Sequence, residues 1–86
     1  MPEYRVALKS SAEKEFFRLP EQVAARILQK IKALAEDHRP HGSKKLRGGT
    51  DEWRIRIGDY RAIYTIDDEA RKVEVTRIAH RREAYE

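Results

Sequence analysis

Two arginines one residue apart, Arg54 and Arg56, sit in the run Trp53-Arg54-Ile55-Arg56-Ile57, and a third, Arg61, follows the Gly58-Asp59 pair. A guanidinium keeps its charge near neutral pH and presents a planar fork that matches two oxygens of a phosphate. Further cations lie in the loop Lys44-Lys45-Leu46-Arg47 and in the tail His80-Arg81-Arg82, which runs on to Tyr85. An imidazole or phenol among guanidiniums can carry a proton. The chemistry on offer is binding of a phosphate, with His80 and Tyr85 able to reach the same face if the last strand lies beside the hairpin. The plainer readings are a solvated basic loop, an internal salt-bridge network, and a histidine and tyrosine with no role beyond a strand end and a terminus.

The hairpin decides whether the three arginines can meet. Gly58-Asp59 is a two-residue turn signal, and such a turn sets the register of its strands. Ile57 then faces Tyr60, Arg56 faces Arg61, Ile55 faces Ala62, Arg54 faces Ile63 and Trp53 faces Tyr64. Strand side chains alternate between faces. Trp53, Ile55, Ile57, Tyr60, Ala62 and Tyr64 therefore form one apolar-aromatic face, and Arg54, Arg56 and Arg61 converge on the other. Arg56 opposite Arg61 costs up to roughly 1 kcal/mol as a like-charge pair. The offset is either an acidic neighbour, Glu74 or Asp59, or an external anion.

The elements that must hold this hairpin are legible by period. Tyr4, Val6 and Leu8 alternate as a short strand. Ser10-Ser11-Ala12-Glu13 has the form of a capping box, with Ser10 as N-cap, opening a helix whose stripe is Ala12, Phe16 and Leu19. Pro20 ends it and opens a second helix to about Asp37, with Val23, Ala24, Ile27, Leu28, Ile31, Leu34 and Ala35 facing a core. Pro40 and Gly42 stop that helix, and 39–52 reads as a basic loop. Strands follow at Trp53–Ile57, Tyr60–Ile66 and Lys72–Ala79, the last two joined by an acidic turn. The order β-α-α-β-β-β is an α+β domain: a mainly antiparallel sheet with two N-terminal helices on one face. The 86 residues are expected to form a single domain, 1–86.

Composition narrows the classes. Nineteen Lys and Arg against fifteen Asp and Glu give a net charge of +4, which suits a polyanionic partner. Residues 39–86 hold twelve of those cations and nine of the acids. The absence of cysteine excludes disulfides, thiol catalysis and thiolate zinc sites. No apolar stretch approaches the ~20 residues of a membrane span, and the Met1-Pro2-Glu3-Tyr4-Arg5 start lacks a signal-peptide apolar region. A cytoplasmic location with no membrane partner is the expectation.

The helical Phe17-Arg18-Leu19-Pro20, the Lys45-Leu46-Arg47-Gly48 loop, the hairpin from Trp53 to Tyr64 and the Ala79-His80-Arg81-Arg82-Glu83-Ala84-Tyr85 tail together resemble the RelE-like toxins of the RelE/ParE superfamily, over essentially the whole chain. The resemblance implies a toxin of a type II toxin–antitoxin system. It implies an endoribonuclease that cuts messenger RNA in the ribosomal decoding site without a metal or other cofactor. The ribose 2′-OH attacks the adjacent phosphate, leaving a 2′,3′-cyclic phosphate and a 5′-OH. It also implies a cognate antitoxin that blocks the site and represses the shared operon as a DNA-bound complex. By position, Arg54 and Arg56 match basic residues of the family's hairpin, Tyr60-Arg61 its tyrosine–arginine pair, Arg81 its tail arginine and Tyr85 the tyrosine after it. Arg47 matches a loop residue that touches RNA, and Lys44, Lys45 and Arg82 extend that surface.

The best-known members carry lysines where this chain has Arg54 and Arg56. Arginine cannot serve as a base. Both are therefore expected to be pure charge stabilisers, with Tyr85 as general base, His80 as its rival, and Arg81 assisting the leaving 5′-oxygen. Tyr85 is expected to be ordered by the ribosome. Two alternatives stay open: a ParE-type relative that binds and inhibits DNA gyrase without cutting anything, and a degenerate member that only binds.

Overall fold

A computed structural model describes residues 3–46 and 51–80. The order is β1 (Arg5–Leu8), α1 (Ser10–Phe17), α2 (Glu21–Ala33), β2 (Lys44–Lys45), β3 (Glu52–Ile57), β4 (Tyr60–Asp67) and β5 (Lys72–His80). The five strands form one sheet in the order β1-β5-β4-β3-β2, with β1 parallel to β5 and every other pair antiparallel. The expected α+β order is present, with the two-residue β2 added inside the stretch read as a loop.

The helices cover one face. Ile27, Ile31 and Leu34 of the α2 segment and Ala12 of α1 are buried against Ile55, Ile57, Ala62, Tyr64, Ile66, Val73, Val75 and Ile78 of the sheet. Tyr64 is fully buried, and its hydroxyl donates to the His38 carbonyl at 3.0 Å, so its polar tip does not go unsatisfied. That burial raises the Tyr64 phenol above its ordinary value.

Two helix ends depart from expectation. The capping box does not form: Lys9 is the N-cap of α1, without a side-chain bond. The Ser11 hydroxyl instead donates to the Thr76 carbonyl at 3.0 Å. α2 ends at Ala33 rather than Asp37. Leu34, Ala35 and Glu36 donate three residues back, and the Ala35 carbonyl is taken by the Tyr4 N–H at 2.9 Å. Docking onto the start of β1 thus competes with the last helical turn and tightens it.

α1 also solves an edge problem. β1 pairs with β5 only as far as Val75, so the outer edge of β5 beyond it has no strand partner. Glu15, four residues from Ser11 on the same helix face, accepts the Ile78 N–H at 2.8 Å and stands 3.5 Å from the Arg77 Nε. An edge covered in this way is closed to other chains. Glu15→Ala leaves a part-buried N–H unsatisfied and is expected to cost about 1–3 kcal/mol; an unchanged urea midpoint would show that this contact carries nothing.

The far end of the sheet is held by a polar cluster. The Tyr4 hydroxyl donates to Asp68 at 2.7 Å, Arg39 pairs with Asp68 at 2.9 Å, and Arg39 lies 5.4 Å from the centre of the Trp53 ring. The Tyr4 hydrogen bond and then Arg39 hold the Asp68 carboxyl below its ordinary value, and the same bond raises Tyr4. Asp51, Asp67 and Glu69 line the surface beside this cluster.

Candidate functional site: the open arginine face

The hairpin register is the one the two-residue turn requires. Arg54 faces Ile63, Arg56 faces Arg61, Ile55 faces Ala62, and Ile57 faces Tyr60. Gly58 adopts φ +60, a left-handed conformation that side chains with a Cβ avoid. With Ile55, Ile57, Ala62 and Tyr64 buried toward the helices, alternation turns Arg54, Arg56 and Arg61 to the uncovered face. Arg56 is exposed, and Arg54 and Arg61 are half-buried.

Neighbouring strands shape this face. Ala79 stands opposite Arg61, so a small side chain floors the guanidinium. Lys44 pairs with Arg54 and joins the same face, whereas Lys45 pairs with Trp53 and is turned the other way. Glu74 pairs with Thr65, four residues along β4 from Arg61, or about 13 Å of strand, so it is not the offset for the Arg56–Arg61 pair. Arg56 has no ion-pair partner among the described residues. That favours an external anion over an internal network at this position. No three described His, Asp or Glu side chains are grouped to hold a metal ion.

His80 is not on this face. β4 and β5 slip register between Ile63 and Tyr64, which pair with Arg77 and Val75 and leave Thr76 as the extra residue of a bulge. The bulge reverses the phase of β5. Ala79 faces out beside Arg61, and His80 pairs with Tyr60 on the helix side. Its ring meets Tyr60 edge-on at 5.2 Å and lines a cleft with Glu15, Arg18 and Leu19. The Tyr60-Arg61 pair is likewise split across the sheet. Arg47, Arg81, Arg82 and Tyr85 lie outside the described residues. His80→Asn is expected to leave any cleavage rate within about twofold, since the ring lies on the helix side of the sheet; a drop of about 10²-fold or more, the scale of a lost general acid or base, would return it to the chemistry.

Fold and site together are thus a two-helix α+β domain whose arginine-lined sheet face no described helix covers. A family model described as the ParE toxin of type II toxin–antitoxin systems, parDE, matches residues 6–85. Toxin RelE of Mycobacterium tuberculosis is 34% identical over 83 residues, covering 95% of this chain and 86% of that protein. Among solved structures, the RelBE2 toxin–antitoxin complex of M. tuberculosis matches with a TM-score of 0.82 and 28% identity, over 93% of each chain. The archaeal RelE–RelB complex of Pyrococcus horikoshii matches with a TM-score of 0.83 and 28% identity, over 95% of this chain and 99% of that one. The chain belongs to this family of type II toxins and is RelE-like within it.

Proposed function

We propose that the chain is a ribosome-dependent endoribonuclease, acting as one domain, that cuts messenger RNA without a metal. The observation that carries this reading is the convergence of Arg54, Arg56 and Arg61 on the one sheet face that no described helix covers. In the proposed reaction a base takes the 2′-OH proton, the 2′-oxygen attacks phosphorus, and the bond to the 5′-oxygen breaks as that oxygen gains a proton. The developing charge spreads over the equatorial phosphate oxygens, where fixed guanidiniums act without reorganising. The family resemblance supplies Tyr85 as the base and Arg81 beside the leaving oxygen. Its placement beside Tyr60 argues against His80 as the rival.

Both solved relatives above are toxin–antitoxin complexes, which supports a cognate antitoxin as partner, with operator DNA reached only through that complex. No described helix is long and apolar enough to cross a membrane, and a ribosomal target implies action in the cytoplasm. The family model's ParE name favours a second reading, a non-cleaving inhibitor of DNA gyrase.

Primer extension on a programmed ribosome, beside the same messenger RNA alone, separates the two. A break inside the decoding-site codon, present only with ribosomes, supports the nuclease. Intact RNA in both lanes together with inhibited DNA supercoiling by gyrase would replace it.

A further inference from the structure

The arginine face does not stop at the edge of the sheet. β2 is two residues long, and its last pairing is Lys44 with Arg54, so among the described residues no strand lies beside the outer edge of β3 at Arg56. The Glu52 carbonyl accepts the Leu46 N–H at 2.9 Å, which shows that this side of β3 turns its backbone groups outward at Glu52. Alternate residues share that direction, so the Arg56 N–H faces the same open edge.

A cleft of about 460 Å³ lies there, lined by Lys30 of α2, His41 and Ser43 of the turn, Lys44, Arg54 and Arg56. The turn that shapes it closes through Ser43 N–H to the Pro40 carbonyl at 2.9 Å and places Gly42 at φ +92. No described Asp or Glu lines the cleft. Lys30, His41 and Lys44 have no ion-pair partner among the described residues. Basic side chains from a helix, a turn and two strands thus surround one concavity, whose size falls in the roughly 300–1,000 Å³ range of small-ligand sites.

We infer that this cleft is a second phosphate site, in which Lys30 and His41 hold the nucleic-acid backbone next to the phosphate on the arginine face. The inference rests on the proposed action on RNA and extends it. The strand crosses the edge of β3, with Arg54 and Arg56 shared between the two positions and the Arg56 N–H facing the same edge as a neutral donor. Two seats in line would set the direction of the strand as well as its affinity, because phosphate contacts fix register.

The test uses a single-stranded oligo-2′-deoxyuridylate, which cannot undergo the 2′-OH reaction, so binding is read apart from cleavage. Fluorescence anisotropy across a salt series gives the slope of log affinity against log salt. Each lost phosphate contact lowers that slope by about 0.7 for a single strand. Lys30→Gln is expected to lower it by that amount, whereas Lys32→Gln, the same charge change on the same helix outside the cleft, is expected to leave it unchanged. Equal effects from both variants would show a response to net charge alone and overturn the site. So would a Lys30 effect on polyglutamate binding but not on the oligonucleotide, which would assign the cleft to an acidic protein. If ribosomal cleavage fails while the Lys30-specific slope change holds, the nuclease reading falls and the cleft stands.

Discussion

Arg61→Ala is expected to slow ribosome-dependent cleavage by about 10²–10³-fold, the usual cost of removing one preorganised donor from a developing oxyanion. The unfolding midpoint should be unchanged or slightly higher. Both signs come from the same geometry. Arg61 stands directly across from Arg56 on the open face. As a like-charge pair the two repel by up to roughly 1 kcal/mol, and an anion lying between the side chains would offset that repulsion. A residue that costs stability and supports activity marks a site shaped for its ligand. Single-turnover cleavage on programmed ribosomes and a thermal melt check the two halves. A lowered midpoint with proportionate loss of activity would make Arg61 a structural residue, and the open face would lose its assignment.

Tyr85→Phe is expected to slow the chemical step by about 10²–10⁴-fold, the range for a general base, while ribosome affinity stays as it was. Arginine cannot accept a proton near neutral pH, so Arg54, Arg56 and Arg61 are charge stabilisers only. His80 packs against Tyr60 on the helix side of the sheet. The phenol that the family resemblance assigns as base then has no rival among the residues singled out in the sequence. Cleavage at an undiminished rate in the Phe variant would remove it and leave proton transfer to the ribosome or to solvent.

What could be read from the residues alone follows the range of the interactions involved. The hairpin was legible to the residue because a two-residue turn leaves one register, and the helix stripes because burial repeats with the helical period, except at Leu28, which was expected to face the core and is exposed. Three features escaped. The Thr76 bulge depends on how β5 meets both β4 and α1, and no local pattern announces it; one extra residue was enough to put His80 on the wrong face. The Ser10 capping box lost to a long-range contact, with Ser11 and Glu15 drawn to the bare edge of β5. The lining of the β3-edge cleft by Lys30 and His41 needed the fold, since Lys30 reads in sequence as an ordinary solvent-facing helix residue.

The acidic turn at the far end of β4 acquires a role once the arginines are placed. Asp67 is six residues along the strand from Arg61, about 20 Å, and Asp51, Asp68 and Glu69 gather at the same end. A net charge of +4 is therefore not spread evenly: the arginine face gathers cations, whereas at this end the acids are met by Arg39, Arg71 and Lys72. Such a molecule carries a permanent dipole. In the field of a polyanion it rotates before it touches, and arrives hairpin first. In the proposed binding arrangement the acids would lie away from the RNA, and neutralising them is expected to slow productive encounter at low salt, because more collisions would begin with the wrong end forward.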